Sequence, residues 1–194
     1  MGGPVYETLV RRMGRSTPLR IAILETPAGF EPNSPHVAGR IADFLRRRLE
    51  AYSPLVEVVP ARKRGTTFSP DDPTLLEGVL RADLVFLGPG SPTYAVRQLR
   101  GSRAWHAVTA RHLLGGTTVL ASAAMIAAGA FALPVYEIFK VGEDPRWEEG
   151  LDLLGRHGLS LVLVPHWNNA DGGKEIDTRR CYMGQERFDV LYRL

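Results

Sequence analysis

Apolar residues occur along this chain in two alternating patterns. Between short apolar runs, apolar residues recur every three or four positions, which predicts amphipathic helices. The runs themselves are four to six residues long and are typical of buried strands. They are Leu19–Leu24, Leu55–Val59, Asp83–Leu87, Thr117–Ala121 and Leu161–Val164. Strands that alternate with helices predict an α/β fold, in which a mostly parallel sheet is sandwiched between helices in a flavodoxin-like, three-layer arrangement.

The predicted helices follow these strands. Ser34-Pro35 reads as an N-cap followed by proline at the first helical position, and an apolar stripe continues behind it to Leu49. Residues 134–159 show no clear pattern. We find no repeat and no interdomain linker, so residues 1–194 are predicted to form a single α/β domain, with residues 1–18 as a polar lead-in. Four further helices are predicted, at Leu75–Leu80, Tyr94–Leu99, Ala104–Leu114 and Gln185–Leu194.

Composition and charge argue against a membrane protein, a disulfide-bonded protein and a nucleic-acid-binding protein. The chain has 194 residues, 44% of them hydrophobic, and a formal net charge of +3. No apolar stretch approaches the roughly 20 residues of a membrane span, and the start lacks the pattern of a leader, so we expect a cytoplasmic protein with no membrane partner. The single cysteine, Cys181, excludes an intrachain disulfide. The basic clusters are short, scattered and free of interleaved aromatics, so no nucleic-acid partner is expected.

Three of the predicted strands each end in a chemically distinct group. Ser122 follows Thr117–Ala121 and precedes a run of small residues. The turn Gly88-Pro89-Gly90-Ser91 follows Asp83–Leu87, and His166 follows Leu161–Val164 by two positions. Open α/β sheets build their sites at the carboxyl ends of strands, so we expect these groups to lie near one another.

This set of residues suits acyl transfer. A serine hydroxyl is a weak nucleophile at neutral pH, and an imidazole such as that of His166 must take its proton as it attacks. Backbone N–H groups of the glycine turn (Gly88, Gly90, Ser91) and of Ala123 are candidates to bind the developing oxyanion. Taken singly, each feature also has a simpler explanation: Ser122 as a helix cap, Ser91 as the N-cap of the next helix, and His166 as a solvated side chain.

An acid that orients the histidine is less well defined. Glu175 and Asp177 follow His166 and are the predicted catalytic carboxylates, with Asp171 and Glu186 as further candidates. Asn168 is a predicted polar contact for substrate. The spacing of these acids matches no helical two-ligand metal motif, and no phosphate-binding loop occurs, so we expect neither a metal nor another cofactor.

The motifs together resemble those of the aspartyl dipeptidase (dipeptidase E) and cyanophycinase family of serine peptidases, which have a class I glutamine amidotransferase-like α/β fold. The resemblance rests on the Gly88–Pro92 turn, on Leu120–Met125 around Ser122 and on Pro165–Asn169, in the family's order. It implies Ser122 as nucleophile, His166 as general base, and Gly90 with Ala123 as oxyanion donors. Glutamine amidotransfer itself is disfavoured, because that chemistry uses a cysteine at the position of Ser122.

The chain also departs from the family's pattern. Leu120 and Ala124 stand where the family has glycines around the nucleophile, and Pro89 removes a backbone N–H from the glycine turn. In the family the triad acid generally comes from a further strand, whereas 28 residues follow His166 here. The resemblance therefore leaves three alternatives: an acid at Glu175 or Asp177, a serine–histidine dyad, or a scaffold without activity that binds a small ligand or a protein. The expected substrate is a small peptide or amide, and a homodimer is left open.

Overall fold

The computed structural model describes residues 3–14 and 17–194. The predicted lead-in at residues 1–18 falls partly outside these ranges, and within them residues 3–13 form a helix. The helices are α1 Gly3–Met13, α2 Ser34–Arg48, α3 Glu77–Arg81, α4 Pro92–Leu99, α5 Arg103–Leu113, α6 Ala123–Ala127 and α7 Gly184–Arg193. The strands are β1 Arg20–Leu24, β2 Leu55–Val59, β3 Leu84–Leu87, β4 Thr117–Leu120, β5 Phe131–Ala132 and β6 Glu148–Glu149.

Shorter helical turns complete the chain, and a π-helix spans Glu137–Val141. The single-turn 3₁₀ helices are Thr26–Ala28, Glu50–Tyr52, Pro73–Leu75 and Gly155–His157.

The main sheet has the strand order β2-β1-β3-β4. β1 pairs in parallel with both β2 and β3, and residues 21–24 of β1 lie opposite residues 84–87 of β3. Every residue of β3 is buried, as is every residue of β1 after Arg20, which explains why these strands are continuous apolar runs rather than alternating ones. The predicted fold class, a parallel sheet flanked by helices in a three-layer α/β arrangement, is confirmed.

The chain divides into two compact units. The first comprises residues 1–88 and 101–119, and the second comprises residues 89–100 and 120–194. In the first unit, helices α2 and α3 pack on β1 and β2. In the second, α4 packs on α6, and a core of small and aliphatic side chains is completed by Met183 and Leu191. The sequence-based expectation of a single domain stays a prediction.

Two local predictions differ from the structure. Ser34 is the first residue of α2 rather than its cap, and its hydroxyl donates a hydrogen bond to the buried Glu25 carboxylate at 3.0 Å. The predicted strand Leu161–Val164 is reduced to a single parallel bridge between Val162 and Phe131. β5 is only two residues long, so it offers that segment too short an edge for a regular ladder.

Helix α7 matches its prediction closely. Gln185–Leu194 was expected and Gly184–Arg193 is observed, with Leu191 buried and Phe188 packed against the core of the second unit. The indole N–H of Trp147 donates to the Leu191 carbonyl at 2.9 Å, which ties this helix to the irregular segment before it.

A buried ion pair stabilises the end of β1. The Glu25 side chain is 2% exposed and accepts a hydrogen bond from Arg62 Nε at 2.6 Å. Replacing Arg62 by leucine leaves this carboxylate without its counter-charge, and we expect a loss of about 3 kcal/mol in the free energy of unfolding, measured by urea denaturation. The control is Arg81→Leu, which removes an exposed pair with Glu77 and should cost less than about 1 kcal/mol. Equal losses in the two variants would contradict this account.

Candidate active site

Ser122 lies at the turn that joins β4 to α6 and has a strained backbone. Its dihedral angles are φ 54° and ψ −115°, a conformation that residues with a side chain rarely adopt. The N–H groups of Met125 and Ile126 donate to the Ser122 carbonyl at 3.0 and 3.2 Å, which holds the turn in place. This sharp strand-to-helix turn therefore forms although Leu120 and Ala124 replace the glycines that the resemblance led us to expect.

His166 is positioned through its backbone. Its φ is 53°, and its carbonyl accepts hydrogen bonds from the N–H groups of Asn169 and Cys181, both at 3.2 Å. The N–H of Arg180 donates to the next carbonyl, that of Trp167, at 2.9 Å. Arg180, Cys181 and Tyr182 have φ values of 53°, 58° and 70°, so three successive left-handed residues form the support for the histidine.

The structure brings the two principal candidates together. Ser122 Oγ lies 2.9 Å from His166 Nε2, within hydrogen-bond distance. If the hydroxyl donates to this nitrogen, the imidazole proton lies on Nδ1, which is the tautomer that a general base needs. The Tyr182 ring packs beside the imidazole, with a centroid separation of 6.3 Å.

The candidate acids lie elsewhere. Within residues 3–14 and 17–194, no carboxylate is hydrogen-bonded to His166; Glu175 is exposed and makes no hydrogen bond. Asp177 instead accepts two hydrogen bonds from the Arg179 guanidinium, at 2.8 and 2.7 Å. It also accepts one from the Gln185 N–H at 3.0 Å, near the start of α7. Asp177 therefore has an evident structural task, and the pair Ser122–His166 stands without a partner acid in the described ranges.

Two residues beside Ser122 have backbone N–H groups that make no hydrogen bond within the described ranges. In the described part of the chain, neither the N–H of Gly90 nor that of Ala123 makes a hydrogen bond, and both residues line the cavity that contains Ser122 and His166. Gly90 has φ 149°, a value that strongly favours glycine. Unpaired backbone donors beside a nucleophile are the groups that stabilise an oxyanion.

The remaining predicted binding residues have other surroundings. Ser91 is the N-cap of α4, since its hydroxyl accepts the N–H of Tyr94 at 3.2 Å. The same hydroxyl is 2.9 Å from that of Thr93, which in turn donates to Glu137 at 2.6 Å. Gly88 belongs to the first unit and is buried, and Asn168 is exposed and is not part of the cavity lining.

The cavity beside Ser122 is formed by residues of the second unit and has a volume of about 360 Å³. Sequence reasoning missed most of its wall. Tyr136, Phe139 and Lys140 come from or adjoin the π-helix, in the region whose apolar spacing gave no clear pattern, and Tyr182 comes from the left-handed turn. A π-helix has no signature in apolar periodicity, although such helices often occur at functional sites.

Tyr182 and Asp171 form a pair that the sequence did not reveal. The Tyr182 hydroxyl donates to Asp171 Oδ2 at 2.8 Å, and this hydrogen bond is the largest cause of a raised pKa at the tyrosine. Asp171 was a candidate acid in the sequence. It accepts a hydrogen bond from the hydroxyl of Tyr182, whose ring packs beside His166, and not from the imidazole itself.

The described residues were also compared with the geometry of metal sites and of membrane-spanning helices. They contain no cluster of three or more His, Cys, Asp or Glu side chains with the geometry of a metal site. Likewise, none of the helices in these ranges combines the length and apolar character needed to cross a membrane.

Comparison with known proteins identifies the fold. It is shared with solved peptidase structures, at sequence identities so low that the likeness establishes architecture alone. A peptidase from an acI-B1 Actinobacterium aligns with a TM-score of 0.66 and 18% identity, over 86% of this chain and 63% of its own. A protein from Listeria monocytogenes EGD-e provisionally assigned to Peptidase E aligns with a TM-score of 0.58 and 15% identity, over 88% of this chain and 77% of its own.

This chain thus spans less than two thirds of the length of the first of these structures. No family model matches the sequence, and no curated protein does. The expected resemblance to serine peptidases is confirmed at the level of a peptidase fold, and membership of one particular family stays a prediction.

We expect Asp177 to stabilise the fold in a pH-dependent way. Hydrogen bonds from the Arg179 side chain hold the pKa of Asp177 well below its usual range. A lowered pKa in the folded state stabilises the protein above the unfolded pKa of about 4 and loses this effect as the pH falls below it. Asp177→Asn should therefore lower the melting temperature slightly at pH 7, and the difference from the native protein should shrink between pH 5 and pH 3.

The control for this measurement is Asp144→Asn, because Asp144 is exposed and makes no hydrogen bond or ion pair with any residue of the described ranges. A melting-temperature difference for Asp177→Asn that stayed constant down to pH 3 would contradict the assignment of its stabilising role to the ionised carboxylate.

Cys181 lines the same cavity but should be chemically inert. Burial raises the pKa of its thiol to about 12. At pH 8 the thiolate fraction is then lower than that of a free cysteine by about a thousandfold, so alkylation by iodoacetamide should be slower by a similar factor. Mass spectrometry of the native protein over time checks this, with the urea-unfolded protein as control. Equally fast alkylation of the two states would contradict it.

Proposed function

We propose that this protein is a serine hydrolase that cleaves a small peptide or amide through an acyl-enzyme on Ser122. The observation that carries the proposal is the 2.9 Å contact between Ser122 Oγ and His166 Nε2, on a serine held at φ 54° between a strand and a helix. This arrangement is how α/β hydrolases display a nucleophile. Peptidase neighbours of the same fold agree with it.

In the proposed first half-reaction, Ser122 and His166 act together. Ser122 Oγ attacks the scissile carbonyl while its proton passes to His166 Nε2. The carbonyl oxygen gains negative charge and accepts hydrogen bonds from the N–H groups of Gly90 and Ala123, which have no acceptor in the described ranges. When the tetrahedral intermediate collapses, the Nε2 proton is transferred to the leaving amine and an ester on Ser122 remains.

Water completes the cycle. His166 Nε2 accepts a proton from a water molecule, the hydroxide attacks the ester carbonyl, and the proton returns to Ser122 Oγ as the acid product leaves. The charged imidazolium that forms in both steps has no hydrogen-bonded carboxylate within the described residues. Its orientation comes from the backbone contacts of His166 with Cys181 and Asn169, so the proposed machinery is a dyad.

The second candidate is a scaffold of the same fold that binds a ligand without cleaving it. One observation favours it: the imidazole Nδ1 lacks a hydrogen-bonded acid in residues 3–14 and 17–194. A triad carboxylate stabilises the imidazolium, and its replacement can lower turnover by about 10⁴-fold. The two functions make opposite predictions for the reactivity of Ser122.

We expect a fluorophosphonate to modify the native protein once, at Ser122. Intact-mass analysis should show one adduct, and peptide mapping should place it on Ser122. Ser122→Ala should remove the adduct, and His166→Ala should slow labelling by at least about a hundredfold because the general base is lost. The control is His106→Ala, a change on helix α5 in the first unit, which should leave the rate unchanged.

If the native protein forms no adduct at high reagent concentration, the hydrolase proposal is wrong and the ligand-binding scaffold is preferred. An adduct that forms equally fast in His166→Ala would show that the imidazole does not activate the serine.

A further inference from the structure

The cavity beside the serine–histidine pair has a largely apolar wall. Away from Ser122 and His166, most of its lining consists of aliphatic, aromatic and proline side chains, of which Ile126, Val135, Phe139 and Tyr182 are the main members. No carboxylate and no arginine appear among the described residues that line it. Such a surface binds an apolar group by removing it from water.

Aromatic rings form a continuous surface from the imidazole into this cavity. The Tyr182 ring lies 6.3 Å from the His166 ring, and the Phe139 ring lies 5.2 Å from that of Tyr182, tilted by 43°. The Tyr182 hydroxyl is already bonded to Asp171, so the tyrosine contributes its ring to the cavity rather than a free polar group. A substrate side chain next to the scissile carbonyl would therefore contact aromatic carbon.

One charged side chain completes the lining. Lys140 is exposed, and its ammonium lies 6.0 Å from the centre of the Phe139 ring. Among the described residues no carboxylate lies within ion-pair distance of this ammonium. It is therefore available to a carboxylate carried by a ligand, beyond the aromatic wall.

We infer that the site selects short peptides with a large apolar residue on the acyl side of the scissile bond, and that Lys140 pairs with the peptide's free C-terminal carboxylate. This inference rests on the proposed function for the position of the scissile bond, but the binding preference itself needs no catalysis. A volume of about 360 Å³ lies at the lower end of the range for small-ligand sites, which suits a dipeptide. An acidic acyl residue would place its carboxylate against the rings of Phe139 and Tyr182, where it loses hydration, and it would compete with the peptide's C-terminal carboxylate for the ammonium of Lys140.

The test measures equilibrium binding to full-length Ser122→Ala protein, which cannot form the acyl-enzyme. The ligands are the dipeptide Phe-Gly, its C-terminal amide and the dipeptide Asp-Gly. The dissociation constant of each is measured by calorimetry or by quenching of tryptophan fluorescence. Phe-Gly should bind at least about tenfold more tightly than Asp-Gly, because an apolar pocket discriminates strongly against a charged group. The amide should bind about two- to fivefold more weakly than Phe-Gly, as expected for an exposed ion pair.

Two further variants test the two preferences separately: that for the free carboxylate over the amide, and that for Phe-Gly over Asp-Gly. In Lys140→Met on the Ser122→Ala background, Phe-Gly and its amide should bind equally. In Phe139→Ser on the same background, the ratio of Phe-Gly to Asp-Gly affinity should fall by about tenfold. The matched control is Phe30→Ser, an exposed phenylalanine of the first unit, which should leave that ratio unchanged.

The outcomes separate this inference from the proposed function. Asp-Gly binding as tightly as Phe-Gly, or no measurable binding of either, would overturn the inference even if a fluorophosphonate labels Ser122. An unchanged preference of Lys140→Met for the free acid over the amide would overturn the role of Lys140. The expected preferences without fluorophosphonate labelling would support the inference and remove the hydrolase proposal.

Discussion

The candidate site depends on one constraint, the sharp reversal of the chain between strand β4 and helix α6. A strand that leads straight into a helix must turn within one or two residues, and here Ser122 takes the turn with φ 54°. The conformation is unfavourable for a serine, by about 1 kcal/mol or more, and persists because α6 is anchored in the core through Ala123, Ala124 and Ile126. With Ser122 at the tip of this turn, its hydroxyl contacts the imidazole of His166, and the first N–H of α6 has no acceptor among the residues that the structure describes.

The strands of the main sheet and helix α7 could be predicted from the spacing of apolar residues. Strands β1 to β4 lie within a residue or so of their predicted bounds. In β1 and β3 the reason is burial along the strand, which requires a continuous apolar run. Helix α7 was predictable for the same kind of reason, since Leu191 and Phe188 repeat at helical spacing. Ser34 was misread because serine followed by proline is typical of a helix start, whereas here the buried carboxylate of Glu25 takes its hydroxyl and the helix begins one residue earlier.

The candidate site was predictable in part. Ser122, His166, Gly90 and Ala123 each follow a strand-like run or adjoin one, and the structure places all four around one cavity. The acids were not predictable, because sequence proximity to His166 says nothing about side-chain direction in an irregular segment. Asp177 sits where α7 begins and binds Arg179 and Gln185 instead. The aromatic wall lies in a π-helix and a left-handed turn, neither of which has a recognisable spacing.

The left-handed run at Arg180, Cys181 and Tyr182 limits which substitutions these three positions can accept if the position of His166 is to be kept. Arg180 and Cys181 support the His166 segment through their main-chain N–H groups, so neither needs a particular side chain for this role, whereas Tyr182 also packs its ring beside the imidazole. What matters is the shape of each residue at its β-carbon. Valine, isoleucine and threonine are poorly compatible with φ values near 60°, whereas asparagine and glycine tolerate them. A conservative exchange of Cys181 for valine would therefore disturb the imidazole more than an exchange for asparagine, although valine is the closer match to a buried thiol.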